Sequence, residues 1–291
     1  MSIRVDAHHH FWDPTRATYP FLTDDIATIR RPFGPDDLRP LLARAGIDRS
    51  IVVQARGDTG ETRDLLATAA GSAWIGGVVG WVDLTDPGVG DTIAELQAGP
   101  GGDRLVGIRH QVQDEPDPDW LARPDVRRGI GQVGAAGLPY DLLVRARELP
   151  VALATARAFP GVRFVIDHLA KPPIASGAVR PWAERLRPFG ALPNVWCKVS
   201  GLVAEADWAA WRPEDLRPYV RHALDTFGPE RLMFGSDWPV CLVAASYEEV
   251  VAATRFALGG LDDAEMARVF GATAAAVYRL DTTGGTASRA T

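Results

Sequence analysis

Cysteine is nearly absent: the chain of 291 residues has two, Cys197 and Cys241. A disulfide framework is excluded, and a reducing cytoplasm is the expected compartment. No run of 18 apolar residues occurs, so no transmembrane helix is expected. Residues Met1–Asp6 lack the apolar core of a secretion signal. Positive charge is in deficit, with 31 Lys plus Arg against 37 Asp plus Glu and a net charge of −6. Such a surface argues against general binding of nucleic acid or anionic membranes. No G-x-G-x-x-G follows the early apolar runs, which argues against an open doubly wound nucleotide-binding sheet. No G-x-S-x-G is present either, so a serine-hydrolase reading fails.

What is present is ordinary globular composition, 46% hydrophobic and 23% charged, with many turn formers (Gly 29, Pro 22). Eight short apolar, β-branched runs read as strands: 3–8, 51–55, 75–82, 105–110, 138–144, 163–168, 194–200 and 232–236. They recur at roughly 30 residues, the length of a βα unit, and are apolar almost throughout, as in parallel strands covered on both faces. Helical patterns lie between them, at 64–70, 86–97, 149–158, 214–227, 247–258 and 262–280. The expected architecture is a single (β/α)8 barrel over residues 1–281, with a small, polar, mobile tail over 282–291.

In such a barrel the active site lies at the C-terminal ends of the strands. Five of the six histidines fall there: His8, His9, His10, His110 and His168. Strand alternation sets His8 and His10 on one face and His9 on the other. Two imidazoles at a barrel mouth can bind a divalent metal or polarise a carbonyl oxygen. The eighth strand ends Gly235-Ser236-Asp237-Trp238, and Asp237 suits a general base or a metal ligand. The sixth ends Asp167-His168; the alternation separates the two, and Asp167 is expected to hold loop backbone. Arg109 and His110 end the fourth strand and suit an oxygen-rich substrate. Asp141 and Lys198 sit inside strands, where a charge must be paired or face the wet mouth. Cys197 reads as core rather than nucleophile. The aromatic loop after the first strand would overhang the pocket, with Trp12 a candidate ligand contact.

Six motifs then occur in order: Asp-Ala-His-His-His-Phe-Trp, Gly-Ile-Arg-His-Gln, Tyr-Asp-Leu-Leu-Val, Ile-Asp-His-Leu-Ala-Lys-Pro, Cys-Lys-Val-Ser-Gly-Leu and Phe-Gly-Ser-Asp-Trp-Pro. Together they resemble the lactonase branch of the amidohydrolase superfamily, which acts on sugar-acid lactones and 2-pyrone-4,6-dicarboxylate. The resemblance implies a TIM-barrel lactonase in which water attacks the ring carbonyl of a small-molecule sugar-acid lactone. It implies catalytic roles for Asp237, His168, His8 and His10. Substrate-binding roles are expected for Arg109, His110, Trp12, Lys198 and Asp141. The two-metal pattern is not met, since Arg109-His110 stands in place of a bridging lysine and the fifth strand offers Asp141 rather than histidine. One divalent ion, zinc before others, on His8, His10 and Asp237 is expected, with metal-independent catalysis as the alternative. Two other functions stay open: a metal-dependent decarboxylase of the same superfamily, and a non-catalytic sugar-acid binding protein.

Overall fold

The computed structural model describes residues 2–281; the expected tail over 282–291 lies outside them. Eight parallel strands follow one another around one sheet: β1 (Val5–His9), β2 (Arg49–Val53), β3 (Ile75–Gly80), β4 (Leu105–His110), β5 (Tyr140–Leu142), β6 (Phe164–Ile166), β7 (Val195–Val199) and β8 (Leu232–Phe234). The last meets the first through Asp237 N–H donating to His8 O (2.8 Å) and His10 N–H donating to Trp238 O (2.7 Å). The sheet therefore closes as the expected (β/α)8 barrel. No described helix is long and apolar enough to cross a membrane.

Helices α1 (Pro35–Ala45), α2 (Thr59–Ala70), α3 (Val89–Ala98), α4 (Pro124–Ala135), α5 (Leu149–Ala158), α6 (Trp182–Leu186), α7 (Pro213–Phe227) and α8 (Tyr247–Ala257) fill the connections. In α7, Leu216, Tyr219, Val220, Ala223, Leu224 and Phe227 form one buried stripe, as the spacing predicts. Three helices had no clear signature in the sequence, the five-residue α6 among them. α1 contains Pro40, and α4 contains three glycines. In α4 the glycines serve contact: a Cβ on Gly129 would lie 2.2 Å from Leu84 O. The expected continuous helix over 262–280 is broken. α9 (Asp263–Ala267) and α10 (Thr273–Val277) flank a wider turn where Gly271 packs onto β1, its absent Cβ 1.8 Å from Ile3 O. The acidic start of α9 is a reciprocal cap, for Asp262 and Glu265 each accept the other's backbone N–H.

Alternation sorts the strand residues into two layers. Tyr140, Leu142, Phe164, Ile166, Val199 and Phe234 pack outward under the helices. Val5, Ile51, Val53, Val79, Val165 and Met233 fill the barrel, which Ala274, Val277 and Tyr278 close from below. Cys197 is buried and unbridged, and burial pushes its thiol up, in keeping with a core role.

Above this apolar layer lies a layer of charge, one group from each of four neighbouring strands. Lys198 Nζ is 2.6 Å from Asp141 Oδ2 and 3.0 Å from Asp167 Oδ1; Asp167 Oδ2 is 3.0 Å from Arg109 Nη1. Tyr278 Oη donates to Asp141 Oδ2 at 2.7 Å from below. Signs alternate, so each buried charge has an opposite neighbour. Removing one member strands the rest, and breaking a buried pair typically costs about 3–5 kcal/mol. Lys198→Met should therefore lose about that much unfolding free energy in a denaturant titration; a loss under about 1 kcal/mol would show that the charges are not dry.

Candidate active site

The site stands directly on that layer. β1 delivers His8 and His10 to one face, helped by a bulge between Asp6 and His9. Their Nε2 atoms are 3.2 Å apart. His168 and Asp237 arrive by a different device. Both have left backbone regularity for the left-handed region, with φ of 53° and 57°. Continued alternation would turn His168 outward with Phe164 and Ile166; the left-handed turn brings it in. A non-glycine residue there costs about 1–2 kcal/mol, so the surrounding contacts must hold it.

Asp237 Oδ1 is the point of convergence. It lies 3.4 Å from His10 Nε2, 3.8 Å from His8 Nε2 and 3.9 Å from His168 Nε2. The opposite ring nitrogens are held from behind. His10 Nδ1–H donates to Val53 O (2.8 Å), His168 Nδ1 meets Ser200 Oγ (2.8 Å), and His8 Nδ1 faces Asp167 Oδ1 (3.3 Å). Each contact fixes a ring and turns its Nε2 inward, as outer partners do for metal-binding imidazoles. Donors about 2.0–2.1 Å from a tetrahedral ion sit roughly 3.4 Å from one another. The separations of 3.2 and 3.4 Å match this and those of 3.8 and 3.9 Å are somewhat wider, and the close approach of His8 Nε2 to His10 Nε2 favours a cation between them. Ligand atoms of His8, His168 and Asp237 all lie within 4.8 Å of one another. His168 thus joins the expected set of His8, His10 and Asp237. These residues fit a divalent ion.

Electrostatics suit a neutral imidazole cage around an ionised carboxylate. Burial holds His8 well below the usual imidazole range and lowers His168 to about 4. Burial works against ionisation of Asp237, but His168, His10 and His8 outweigh it and hold the carboxyl below its ordinary value. For Asp167 the opposing burial is overcome by Lys198, His8 and Arg109.

The other expected residues are sorted by the structure. Lys198 and Asp141, expected to hold substrate, are wholly buried beneath His8. Lys198 Nζ is held between Asp141 and Asp167, with His8 Nδ1 3.2 Å away. Their role is to support the site. Asp167, expected to bind loop backbone, instead links Lys198, Arg109 and His8. Arg109 is likewise engaged, with Asp167, Gln54 O and His8 Nε2; its Nε lacks a partner. His110 is turned to a separate nest, accepting from Trp81 Nε1–H at Nδ1 (3.0 Å), bonding Glu115 (2.7 Å) and stacking on Trp120. Trp12 stacks behind His10, its indole N–H spent on Ile29 O and Arg31 O. His9 points away, to Ser50 Oγ at 2.8 Å.

Several residues escaped the sequence reading. Asp6 accepts from the backbone N–H of His8 and Ser236 and from Tyr247 Oη, tying β1 to the end of β8. Gly201 and Gly235 leave the room that the cluster occupies. A Cβ on Gly235 would lie 2.6 Å from His8 Cβ. One on Gly201 would lie 2.5 Å from His168 Nδ1 and 3.0 Å from Asp237 Oδ2. The sequence signal was a glycine beside a serine just past an apolar strand, in Val-Ser-Gly-Leu and Phe-Gly-Ser-Asp.

The amidohydrolase family model matches residues 5–280. The chain belongs to the amidohydrolase family. This amidohydrolase is 42% identical to an L-fucono-1,5-lactonase of Burkholderia multivorans, over 96% of this chain and 97% of that one. It is equally similar, 42% over 97% of each chain, to an L-fucono-1,5-lactonase of Burkholderia ambifaria. A crystal structure of an amidohydrolase from Burkholderia multivorans with bound zinc superposes with a TM-score of 0.90 at 42% identity, covering 96% of this chain and all of that one.

Two expectations follow from this geometry. Gly201 has φ of 65°, so alanine there is both strained and in collision with His168 and Asp237. Gly201→Ala should cost about 1–2 kcal/mol of stability and displace the His168 imidazole resonances in an NMR spectrum; unmoved resonances would contradict the packing. Glu61, at the start of α2, caps Ala55 N–H and Arg56 N–H beside the pocket. Burial raises it from 4.5 to about 7. A raised carboxyl pKa contributes stability that is complete below the unfolded value and lost as pH rises through the folded one. Denaturation midpoints measured from about pH 5 to about pH 8 should fall less steeply in Glu61→Gln than in the parent. Parallel curves would count against it.

Proposed function

We propose that this amidohydrolase opens a sugar-acid lactone of the L-fucono-1,5-lactone type by adding water to the ring carbonyl. The observation that carries the reading is one ionised carboxylate, Asp237, met by three imidazole Nε2 atoms within 3.4–3.9 Å at the mouth of the barrel. Near-full-length identity of 42% to L-fucono-1,5-lactonases supports the substrate class.

Asp237 takes a proton from the attacking water, a role that needs it ionised at neutral pH. Its φ of 57° and the clearance over Gly201 aim the carboxylate at the same point as the imidazoles. His8, His10 and His168 are held in place around the reacting centre before the lactone arrives, so little reorganisation accompanies the addition. Asp237 then gives that proton to the ring oxygen as the C–O bond breaks, which returns the carboxylate to its ionised form. The product is an open hydroxy acid. His8, His168 and Asp237, with His10 beside them, are the residues proposed to hold zinc, which when bound supplies Lewis-acid polarisation of the carbonyl. Zinc suits this set of nitrogen and oxygen donors.

A pH-indicator assay over a panel of aldonolactones should give acid release, fastest with L-fucono-1,5-lactone. Asp237→Asn should lower kcat by about 10²–10⁴-fold with an unchanged circular dichroism spectrum. Running the panel with and without chelator reads the zinc proposal, since chelation should depress kcat and added zinc restore it. A folded protein that opens no lactone on the panel would refute the reading.

A further inference from the structure

The turn that brings His168 inward continues for three more residues. His168, Leu169, Ala170 and Lys171 have φ of 53°, 52°, 58° and 51°, and none is glycine. Lys171 N–H donates to His168 O at 2.8 Å, closing one left-handed turn. In a turn of about three residues, positions three apart share a side. Lys171 is therefore displayed on the same side as His168, while Leu169 and Ala170 are wholly buried. Trp182 Nε1–H pins the turn by donating to Leu169 O at 2.6 Å. A conformation this costly for L residues persists only where the surroundings enforce it, and it often marks a functional position.

Lys171 Nζ lies 3.0 Å from Glu205 Oε1, and both side chains are less than one-fifth exposed. Arg145 approaches the other oxygen of Glu205 at 3.8 Å. Two cations thus share one carboxylate, and this wall of the mouth carries a net positive charge. The chain has only two lysines among its 31 basic residues. Lys198 is immobilised between two carboxylates, whereas Glu205 is the one ion-pair partner found for Lys171 among the described residues. Lysine is a point charge on a flexible stem, able to exchange one carboxylate for another, where an arginine fork is held by its geometry.

A lactone is neutral, but the hydroxy acid it yields is an anion at neutral pH. Ring opening therefore creates a negative charge beside a wall of positive charge. We propose that Lys171 receives the carboxylate of the newly opened hydroxy acid, exchanging Glu205 for product and drawing it away from the reacting centre. The inference rests on the lactonase reading and adds a product-binding residue to it.

The test uses the intact protein and two probes: L-fucono-1,5-lactone for turnover, and the sodium salt of its open hydroxy acid for calorimetric binding. Lys171→Met should weaken binding of the acid about tenfold or more, well beyond any rise in KM for the neutral lactone. Lys171→Arg, which keeps the charge but holds Glu205 in a fork, should recover only part of that loss. Glu205→Gln, which removes the competing carboxylate, should tighten binding of the acid. Unchanged affinity for the acid in Lys171→Met, or equal loss of affinity for acid and lactone, would overturn the proposal. Should Lys171→Met fail to fold, Glu205→Gln decides alone, with tighter binding in favour and unchanged binding against. Failure of the parent protein to open the lactone would be seen first and would remove the reading on which this one stands.

Discussion

Asp167 is the hinge of the whole arrangement. It is fully buried, yet it meets Lys198, Arg109 and His8 at 3.0–3.3 Å. An isolated carboxylate in that position would be driven to its neutral form. With two cations against it, it stays charged and in turn keeps those cations tolerable inside a barrel. The four charges from β4, β5, β6 and β7 are mutually dependent. A slip of one residue in any of these strands would aim its charge into the apolar outer layer. The ladder thus contributes registry as much as stability, and it does so immediately below the site.

The consequence for chemistry is rigidity without bulk. His8 is braced by Asp167, His10 by a carbonyl of β2 and His168 by the serine just past β7. Each imidazole is therefore held by a different element from the one that carries it. The centre does not depend on the long loops of the mouth for its own geometry. Those loops contribute surroundings instead: the aromatic packing of Trp12 behind His10, and the nest of Trp81, Glu115 and Trp120 around His110.

The strands and most helices were legible in the sequence because alternation and the 30-residue recurrence are properties of the residues themselves. So was the set His8, His10, His168 and Asp237, each at a strand end. What sequence could not supply was direction. Alternation sets Asp167 and His168 on opposite faces, whereas the backbone leaves the strand at His168 and admits both to one site. Lys198 and Asp141 were recognised as charges needing partners, but whether they faced substrate or one another depends on the depth of the layer, which residue order does not encode. α1 was hidden by its proline and α4 by its glycines, of which Gly129 and Gly134 answer to close contact rather than to helix preference. Gly201 and Gly235 contribute by what they lack, and an absent side chain gives no chemical signal.

The barrel's seam runs through its reacting centre. Asp6 and Ser236, joined by a buried hydrogen bond, are 230 residues apart, and His8 O and Asp237 N–H bond across the same seam. During synthesis on the ribosome the imidazoles of β1 emerge first and the carboxylate they surround emerges among the last strand's residues. A growing chain therefore carries half a centre from the emergence of β1 until Asp237 follows β8. Closure of the barrel and completion of the site are one event, so a truncated chain ending before Asp237 keeps its imidazoles without their carboxylate.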